Sequence, residues 1–245
     1  MKTARSLVLL TLLAAPAFAV DGVVLINQSI ALAGGVTPGD SPGFPVTISV
    51  SGSYRLSGNL VVPDGNTTAI MVAADNVTID LNGFSIIGPN TCSGFPVNSC
   101  SLAGEGFGIF GAGMLNTTVM NGCITGMTNT GIFLDSGKVD HVSVLNNALR
   151  GIVIGTGLIS NSIALSNGRD GFDLSGTVIN SISQFNGDSG ILGSGLFTGN
   201  YSWQNGGSGV AASCPSTIIG NYAQQNTTNI ATVGPGCVEV NNVGQ

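Results

Sequence analysis

The side chains that could act as acids, bases or charged ligands are concentrated in one stretch of this 245-residue chain, from residue 135 to residue 173. Hydrolysis of a glycosidic bond uses two carboxyl groups about 5–9.5 Å apart. A lyase needs a base and a cation that neutralises the substrate. The candidate catalytic residues of these types are Asp135, Asp140, His141, Asp170 and Asp173.

The spacing of these residues argues against one shared catalytic centre. Arg150 and Asp170 hold equivalent positions one repeat apart, so we expect them to form an exposed ion pair worth roughly 0–1 kcal/mol. Asp173 follows on the next strand, whereas Asp140 and His141 fall on a different strand of their own repeat. We therefore expect surface ion pairing here rather than catalysis.

Aromatic residues with nearby amides form a second candidate site, for ligand binding. Tyr201, Trp203 and Tyr222 lie on equivalent strands of two adjacent repeats, with glutamines around them. Aromatic rings flanked by amides could carry sugar rings if they point to solvent. That register requires the column of small residues on the same strand to point inward, and these are Ser143, Ala164, Ser183, Ser202 and Ala223. In the opposite register the aromatic residues would fill the core; we favour the small residues inside.

Cysteine spacing predicts disulfides but no metal site. Cys92 and Cys100 share one loop, and Cys214 and Cys237 are about one repeat apart, so each pair could form a bridge. Cys123 is left over, as a small buried apolar residue or as a reactive thiol. His141 has no second histidine or cysteine near it, and the acidic residues do not cluster. We expect no metal and no cofactor.

The charge balance and the N-terminus restrict the partners and the location. Residues 1–19 read as a secretory signal peptide, with Lys2 and Arg5, an apolar run and a small-residue cleavage site. Its removal leaves four basic residues against twelve acidic ones, a net charge of about −8. Nucleic-acid binding is therefore a poor fit, because it needs clustered Lys and Arg. No apolar run is long enough for a membrane span, so we expect a secreted or periplasmic protein.

The candidate residues lie within a repeated sequence motif in which glycine precedes an apolar residue. We call this motif the phrase. The phrase begins at Gly108 and returns after 23, 20, 20, 19, 19 and 20 residues, ending with Asn229. A constant period of this length indicates a solenoid of stacked coils. We expect the phrase glycine to mark the turn into each coil. A second series is expected to stack between coils, namely Asn82, Asn121, Asn146, Asn167, Asn186, Asn205 and Asn226.

The phrase also predicts a core and an apolar outer surface. Its second position should form an inward column of Ile70, Ile109, Ile132, Ile152, Phe172, Ile191, Val210 and Ile230. Its third position should point outward, and it includes the apolar residues Met71, Phe110, Phe133, Val153 and Leu192. We call these five residues the apolar strip. Either an inserted loop covers the strip, or it contacts a partner or a second copy of the chain.

The unit from Ala69 to Gly83, two short strands joined by a polar turn and closed by Asn-Gly, resembles a coil of the right-handed parallel β-helix family, the pectate-lyase-like solenoids. The resemblance covers roughly residues 46–241 and implies an all-β fold of roughly ten coils with a period of about 19–23 residues. We expect an N-terminal cap over residues 20–45, a β-helix domain over residues 46–245 and an inserted loop over residues 84–105.

Family resemblance predicts the fold more firmly than the activity, because the family includes lyases, hydrolases, epimerases and adhesins. Related glycoside hydrolases carry Asp-Asp, Gly-His-Gly and Arg-x-Lys motifs, and related epimerases carry Asp-Pro-His; none of these occurs here. We therefore expect a non-catalytic protein that binds polysaccharide or a cell-surface partner. The alternatives are a lyase or hydrolase acting on an acidic glycan, and a structural or adhesive solenoid that associates through the apolar strip.

Overall fold

The protein is a parallel β-solenoid of about 10 turns with stacked coils, and 3% of it is helical. The computed structural model describes residues 22–101 and 104–244. The signal peptide predicted for residues 1–19 lies outside the described residues. The predicted all-β solenoid is confirmed.

Short strands make up nearly all of the regular structure. The first twelve, with the one helix, are β1 (Val23–Ile26), α1 (Gln28–Ala33), β2 (Val46–Ile48), β3 (Gly52–Leu56), β4 (Leu60–Val61), β5 (Ile70–Val72), β6 (Val77–Asp80), β7 (Ser85–Ile87), β8 (Cys92–Ser93), β9 (Ser99–Cys100), β10 (Ile109–Gly111), β11 (Thr117–Thr125) and β12 (Ile132–Leu145). The others are β13 (Ile152–Ser160), β14 (Ile163–Leu165), β15 (Phe172–Ile179), β16 (Ile182–Gln184), β17 (Ile191–Thr198), β18 (Tyr201–Trp203), β19 (Ser208–Ser213), β20 (Thr217–Ile219), β21 (Tyr222–Gln224), β22 (Thr228–Val233) and β23 (Val238–Val240).

Each coil contributes to three faces, on which strands of successive coils pair in parallel. Face A consists of β2, β5, β10, β19, β22 and the first parts of β12, β13, β15 and β17. Face B consists of β1, β3, β6, β20, β23, the first part of β11, the middle of β12 and the second parts of β13, β15 and β17. Face C consists of β4, β7, β14, β16, β18, β21 and the ends of β11 and β12.

The core is an inward column on each face, because side chains alternate along a strand. On face A the predicted column is fully buried from Ile70 to Val210, and each large side chain in it contributes about 1.5–3 kcal/mol by burial. Ile230 is only partly buried, because its coil is the last in the stack. The core therefore extends along the whole solenoid and has no single centre.

Left-handed backbone conformations recur where face B turns into face C. The residues with positive φ there are Asn82, Asn121, His141, Asn161, Asn180, Gly199, Gly220 and Asn241. Asparagine and glycine tolerate this conformation better than other residues. His141 therefore occupies a turn position that asparagine or glycine fills in neighbouring coils.

Buried asparagines stack where face C turns into face A. Asn147, Asn167, Asn186, Asn205 and Asn226 form the stack, and each side-chain amide donates to the next carbonyl oxygen at 2.9–3.0 Å. The prediction was wrong for three members of the series. Asn82 and Asn121 lie in the other turn, and Asn146 adopts the left-handed conformation beside the stack.

Residues 27–40 provide partners for strand edges at the N-terminal end of the solenoid. Asp40 accepts from the backbone N–H of Thr47 in β2 at 2.7 Å. The Gln28 side chain donates to the Val61 carbonyl oxygen in β4 and accepts from the Val61 N–H. These side chains satisfy polar backbone groups that an open edge would expose.

The insertion departs from the coil after Ile87, later than the predicted start at residue 84, because β7 pairs within face C. Its strands β8 and β9 form an antiparallel hairpin that is closed by the predicted Cys92–Cys100 disulfide. The Val97 N–H donates to the Phe185 carbonyl oxygen at 2.9 Å, so the hairpin lies against the turn after face C. The predicted Cys214–Cys237 disulfide is also present and joins the last two coils.

Candidate functional site

Face C carries the candidate aromatic residues, and its register directs them outward. Ala164, Ser183, Ser202 and Ala223 pair in sequence along the face and are buried. The favoured register is therefore confirmed. The prediction was wrong for Ser143, which pairs with Ile163 on the outside, because Val144 holds the inward position of that coil.

Two outward rows of side chains run along face C between residues 143 and 224. One row contains Ser143, Ile163, Ile182, Tyr201 and Tyr222; the other contains Leu145, Leu165, Gln184, Trp203 and Gln224. The rows span five coils, or about 19 Å at the usual spacing of parallel strands. Every side chain in them is uncharged.

The aromatic rings are arranged differently from the flat platform that the sequence suggested. The rings of Tyr201 and Tyr222 are parallel within 5°, with centroids 5.0 Å apart. Each tyrosine covers one face of the other, so these two ring faces are not available to a sugar ring. Trp203 is the only other aromatic residue in the two rows, and it is partly exposed.

Two further aromatic residues extend this group, and sequence reasoning missed both. The Phe185 ring packs edge-on against Trp203 with centroids 5.3 Å apart, and Phe95 packs edge-on against Phe185 at 5.1 Å. Phe95 lies at the tip of the hairpin and is 75% exposed. Phe185 directly follows β16, and this position was the sequence signal that could have placed it beside Trp203. No sequence pattern links the inserted hairpin to this turn.

Hydrogen-bonding groups beside the rings are available to a ligand. In the part of the chain that is described, the side chains of Gln184 and Trp203 have no hydrogen-bond partner. The Tyr222 hydroxyl donates to Gln224 Oε1 at 2.6 Å, which leaves the Gln224 amide N–H groups to donate elsewhere. An amide, an indole N–H and a second amide thus follow one another along three coils.

Asp170 and Asp173 share one arginine on the edge of face A. Arg150 Nε lies 3.0 Å from Asp170 Oδ2 and 3.2 Å from Asp173 Oδ2. The expectation of an exposed pair was wrong, because only 3% of the Asp170 side chain is exposed and its Oδ1 accepts from the Ser189 N–H. Burial raises the pKa of Asp173, and the nearby Asp170 adds to this effect while Arg150 opposes it.

The other charged candidates lie away from this pair. Asp140 is on face B, where Ser160, Asn161, His141 and Lys138 surround it. Partial burial alone would raise the pKa of Asp140, but these hydrogen bonds and the Lys138 charge hold it well below its usual range. Asp135 is exposed and accepts from the Gly113 N–H at 2.6 Å. The five candidate residues therefore do not converge on one site: Asp170 and Asp173 meet at Arg150, and Asp140 and His141 meet on another face.

The apolar strip points outward on face A, as its register requires. All five of its members are partly exposed. Phe110 and Phe133 stack with centroids 5.5 Å apart, and Phe107 packs against both. The hairpin contacts the turn after face C, and Phe107 covers part of the strip, so the described residues leave the strip partly exposed.

The described residues give little support to a reactive cysteine or to a metal site. Cys123 is free and partly exposed on face C; burial raises the pKa of its thiol, and a hydrogen bond with Ser85 opposes the shift. A raised pKa disfavours the reactive thiolate. Residues 22–101 and 104–244 contain no group of three or more His, Cys, Asp or Glu side chains that could hold a metal ion.

Comparison with protein-family models, curated proteins and solved structures found no match to this chain. Within the described ranges, no helix has the length and apolar character needed to cross a membrane.

Proposed function

We propose that this protein is an exported, non-catalytic solenoid that binds polysaccharide, as part of a cell surface or in free form, through face C. The observation that carries the proposal is the pair of outward rows in which Trp203 lies between Gln184 and Gln224. The indole offers an apolar surface with one donor, and the amides offer donors and acceptors for hydroxyl groups. Face C is regular over five coils, so it suits a repeating polymer.

Export is part of the proposal. Two disulfides are typical of proteins that fold in oxidising compartments, and residues 1–19 have the pattern of a signal peptide. We also propose a right-handed coil of the pectate-lyase-like type, since about 98% of connections between parallel strands are right-handed.

Affinity electrophoresis tests the proposal. The purified protein is run through native gels that contain single polysaccharides, both neutral and acidic, and its retardation is compared with that of a non-binding standard. We expect retardation by at least one polymer. We expect Trp203→Ala to weaken binding by about tenfold, as loss of a 1–2 kcal/mol aromatic contact implies.

Leu196→Ala is the matched control, because Leu196 is 37% exposed on face B and lies outside the two rows. It should bind as the wild type does. Equal binding by wild type and by folded Trp203→Ala would show that face C is not the site.

The lyase or hydrolase alternative has less support from geometry. Asp170 and Asp173 are the two candidate carboxylates that contact the same side chain, Arg150, but both Asp170 oxygens are engaged and its side chain is buried. A buried carboxylate with both oxygens occupied cannot contact a substrate. Release of reducing ends or of unsaturated products from any polymer in the panel, lost in Asp173→Asn, would restore this alternative.

A second candidate function, assembly into a structural or adhesive layer, follows from the partly exposed apolar strip. Phe110 and Phe133 remain partly exposed, although such a ladder of rings costs free energy in water. If the strip mediates self-association, sedimentation equilibrium should show a mass that rises with concentration and returns to the monomer mass in Phe133→Ser. A constant monomer mass for the wild type at high concentration would exclude it.

A further inference from the structure

Basic side chains are scarce, and most are already paired. Of the four in the described residues, Arg55 lies 3.1 Å from Asp80, Lys138 lies 3.4 Å from Asp140, and Arg150 bridges two aspartates. The fourth, Arg169, is exposed in the turn after face C, where Asp188 holds the same position one coil on. Recognition of uronate or sulfate groups normally uses clustered, unpaired Arg or Lys. Arg169 is the one basic side chain of the described residues that belongs to no ion pair, so acidic glycans find no cluster of basic partners here.

Face C itself carries no charge over a long distance. From β7 to β21, every outward side chain of this face is apolar, aromatic, hydroxyl, thiol or amide. The whole sequence has a net charge of −6, so its long-range field repels anionic polymers. The uncharged surface of face C and the negative electrostatic field of the protein therefore disfavour an acidic ligand.

The groups that are available on face C suit hydroxyl groups. Gln184 supplies both donors and an acceptor, Trp203 supplies a donor, and Gln224 supplies donors. They lie at the same row position of three successive coils, about 4.8 Å apart. A linear polymer lying parallel to the solenoid axis would meet them in turn.

We infer that the ligand of face C is an uncharged, hydroxyl-rich polysaccharide that binds lengthwise along the solenoid axis. This inference rests on the proposed function and adds the chemical class of the ligand and its direction. Binding is carried by hydrogen bonds and apolar contact. It is therefore insensitive to salt, unlike binding that depends on exposed ion pairs.

Trp203 is the only tryptophan in the chain, so its fluorescence reports directly on this site. The folded, disulfide-intact protein is titrated with two neutral polymers, hydroxyethylcellulose and galactomannan, and with two acidic ones, polygalacturonate and alginate. Each titration is made at about 0.02 M and about 0.5 M NaCl, which brackets weak and strong screening. Gln184→Ala serves as the site variant and Leu196→Ala as the control.

We expect a neutral polymer to shift the Trp203 emission with an association constant that changes less than about twofold between the two salt concentrations. Gln184→Ala should lower that constant about fivefold, as loss of about one hydrogen bond implies. Leu196→Ala should leave it unchanged. This result would support both the inference and the proposed function.

The other outcomes separate the two proposals. If only polygalacturonate or alginate shifts the emission, and salt abolishes the effect, the inference is wrong while polysaccharide binding stands. If no polymer shifts the emission or retards the protein, both are wrong. If light scattering shows a dimer that Trp203→Ala converts to a monomer, face C is an interface between copies, which also overturns both.

Discussion

At the scale of single residues, Asp140 has the most side-chain partners of the candidate set. Its Oδ1 accepts from Ser160 Oγ at 2.6 Å and from Asn161 Nδ2 at 3.0 Å, and Lys138 Nζ lies 3.4 Å from its Oδ2. The two hydrogen bonds come from the next coil. Asp140 therefore joins adjacent coils on face B.

The depressed pKa of Asp140 predicts how stability depends on pH. Its folded-state pKa lies below the unfolded value of about 3.9, so its contribution is present above pH 4 and is lost as pH falls further. In urea titrations, Asp140→Asn should lower the free energy of unfolding by about 1–2 kcal/mol at pH 7. The difference from wild type should shrink towards pH 2.

The control for this prediction is Asp188→Asn, because Asp188 is exposed and belongs to no ion pair found among the described residues. Its stability should stay within about 0.5 kcal/mol of wild type at both pH values. A difference between wild type and Asp140→Asn that does not change with pH would contradict the assignment.

At the scale of the repeating element, the glycine that opens each phrase is needed because a larger side chain would not fit there. Gly151, Gly171 and Gly190 lie in bends directly before β13, β15 and β17, as predicted, but they do not have positive φ, so a left-handed backbone does not explain the glycine. A Cβ at Gly190 would lie 2.7 Å from the Gly209 carbonyl oxygen and would overlap Ser202 Oγ. The backbone of face A therefore approaches both the next coil and the inward serine of face C.

Adding a methyl group at this position should break that close approach. We expect Gly190→Ala to lower the free energy of unfolding by about 1–3 kcal/mol, the usual cost of overpacking. The measurement is chemical denaturation followed by the fluorescence of Trp203.

Gly58→Ala is the matched control. The nearest atom to a Cβ at Gly58 is Asn27 Cβ at 3.5 Å, which is an ordinary contact. This variant should unfold within about 0.5 kcal/mol of the wild type. If both alanine variants were equally stable, close packing would not explain the glycine period.

At the scale of the whole molecule, each coil contacts mainly its neighbours, so stability is close to one-dimensional. The Cys214–Cys237 bridge ties the last coil to the preceding one and closes 23 residues. A bridge of this loop length contributes about 3 kcal/mol in the chain-entropy model. Its effect should therefore be local to the C-terminal coils.

We expect the double substitution of Cys214 and Cys237 by serine to accelerate amide hydrogen exchange about 100-fold in β22 and β23, the factor that about 3 kcal/mol implies. Exchange in β10 should not change. The same substitution at Cys92 and Cys100 should affect the hairpin only and serves as the control. A uniform acceleration along the chain would show that the solenoid unfolds as one unit.

The sequence alone determined the coil period, the inward column of face A and both disulfides. Each depends on a regular spacing: side chains alternate on a strand, and residues one period apart must stack. Ile152 and Phe172 could be assigned to the core for that reason, and Cys214 could be paired with a cysteine about one coil away.

Only the tertiary structure decided what the repeat length leaves open, because coils of 19 to 23 residues shift equivalent positions by one or more. The period predicts Ser143 at the inward position of its coil, but Val144 holds that position. It likewise predicts Asn146 in the asparagine stack, but Asn147 is the residue that stacks. The Phe95 contact with Phe185 depends on where the hairpin folds, and the pairing of Tyr201 with Tyr222 depends on ring rotation. The repeat period determines the order of the coils, whereas side-chain rotamers and the position of the inserted hairpin determine which surface a ligand contacts.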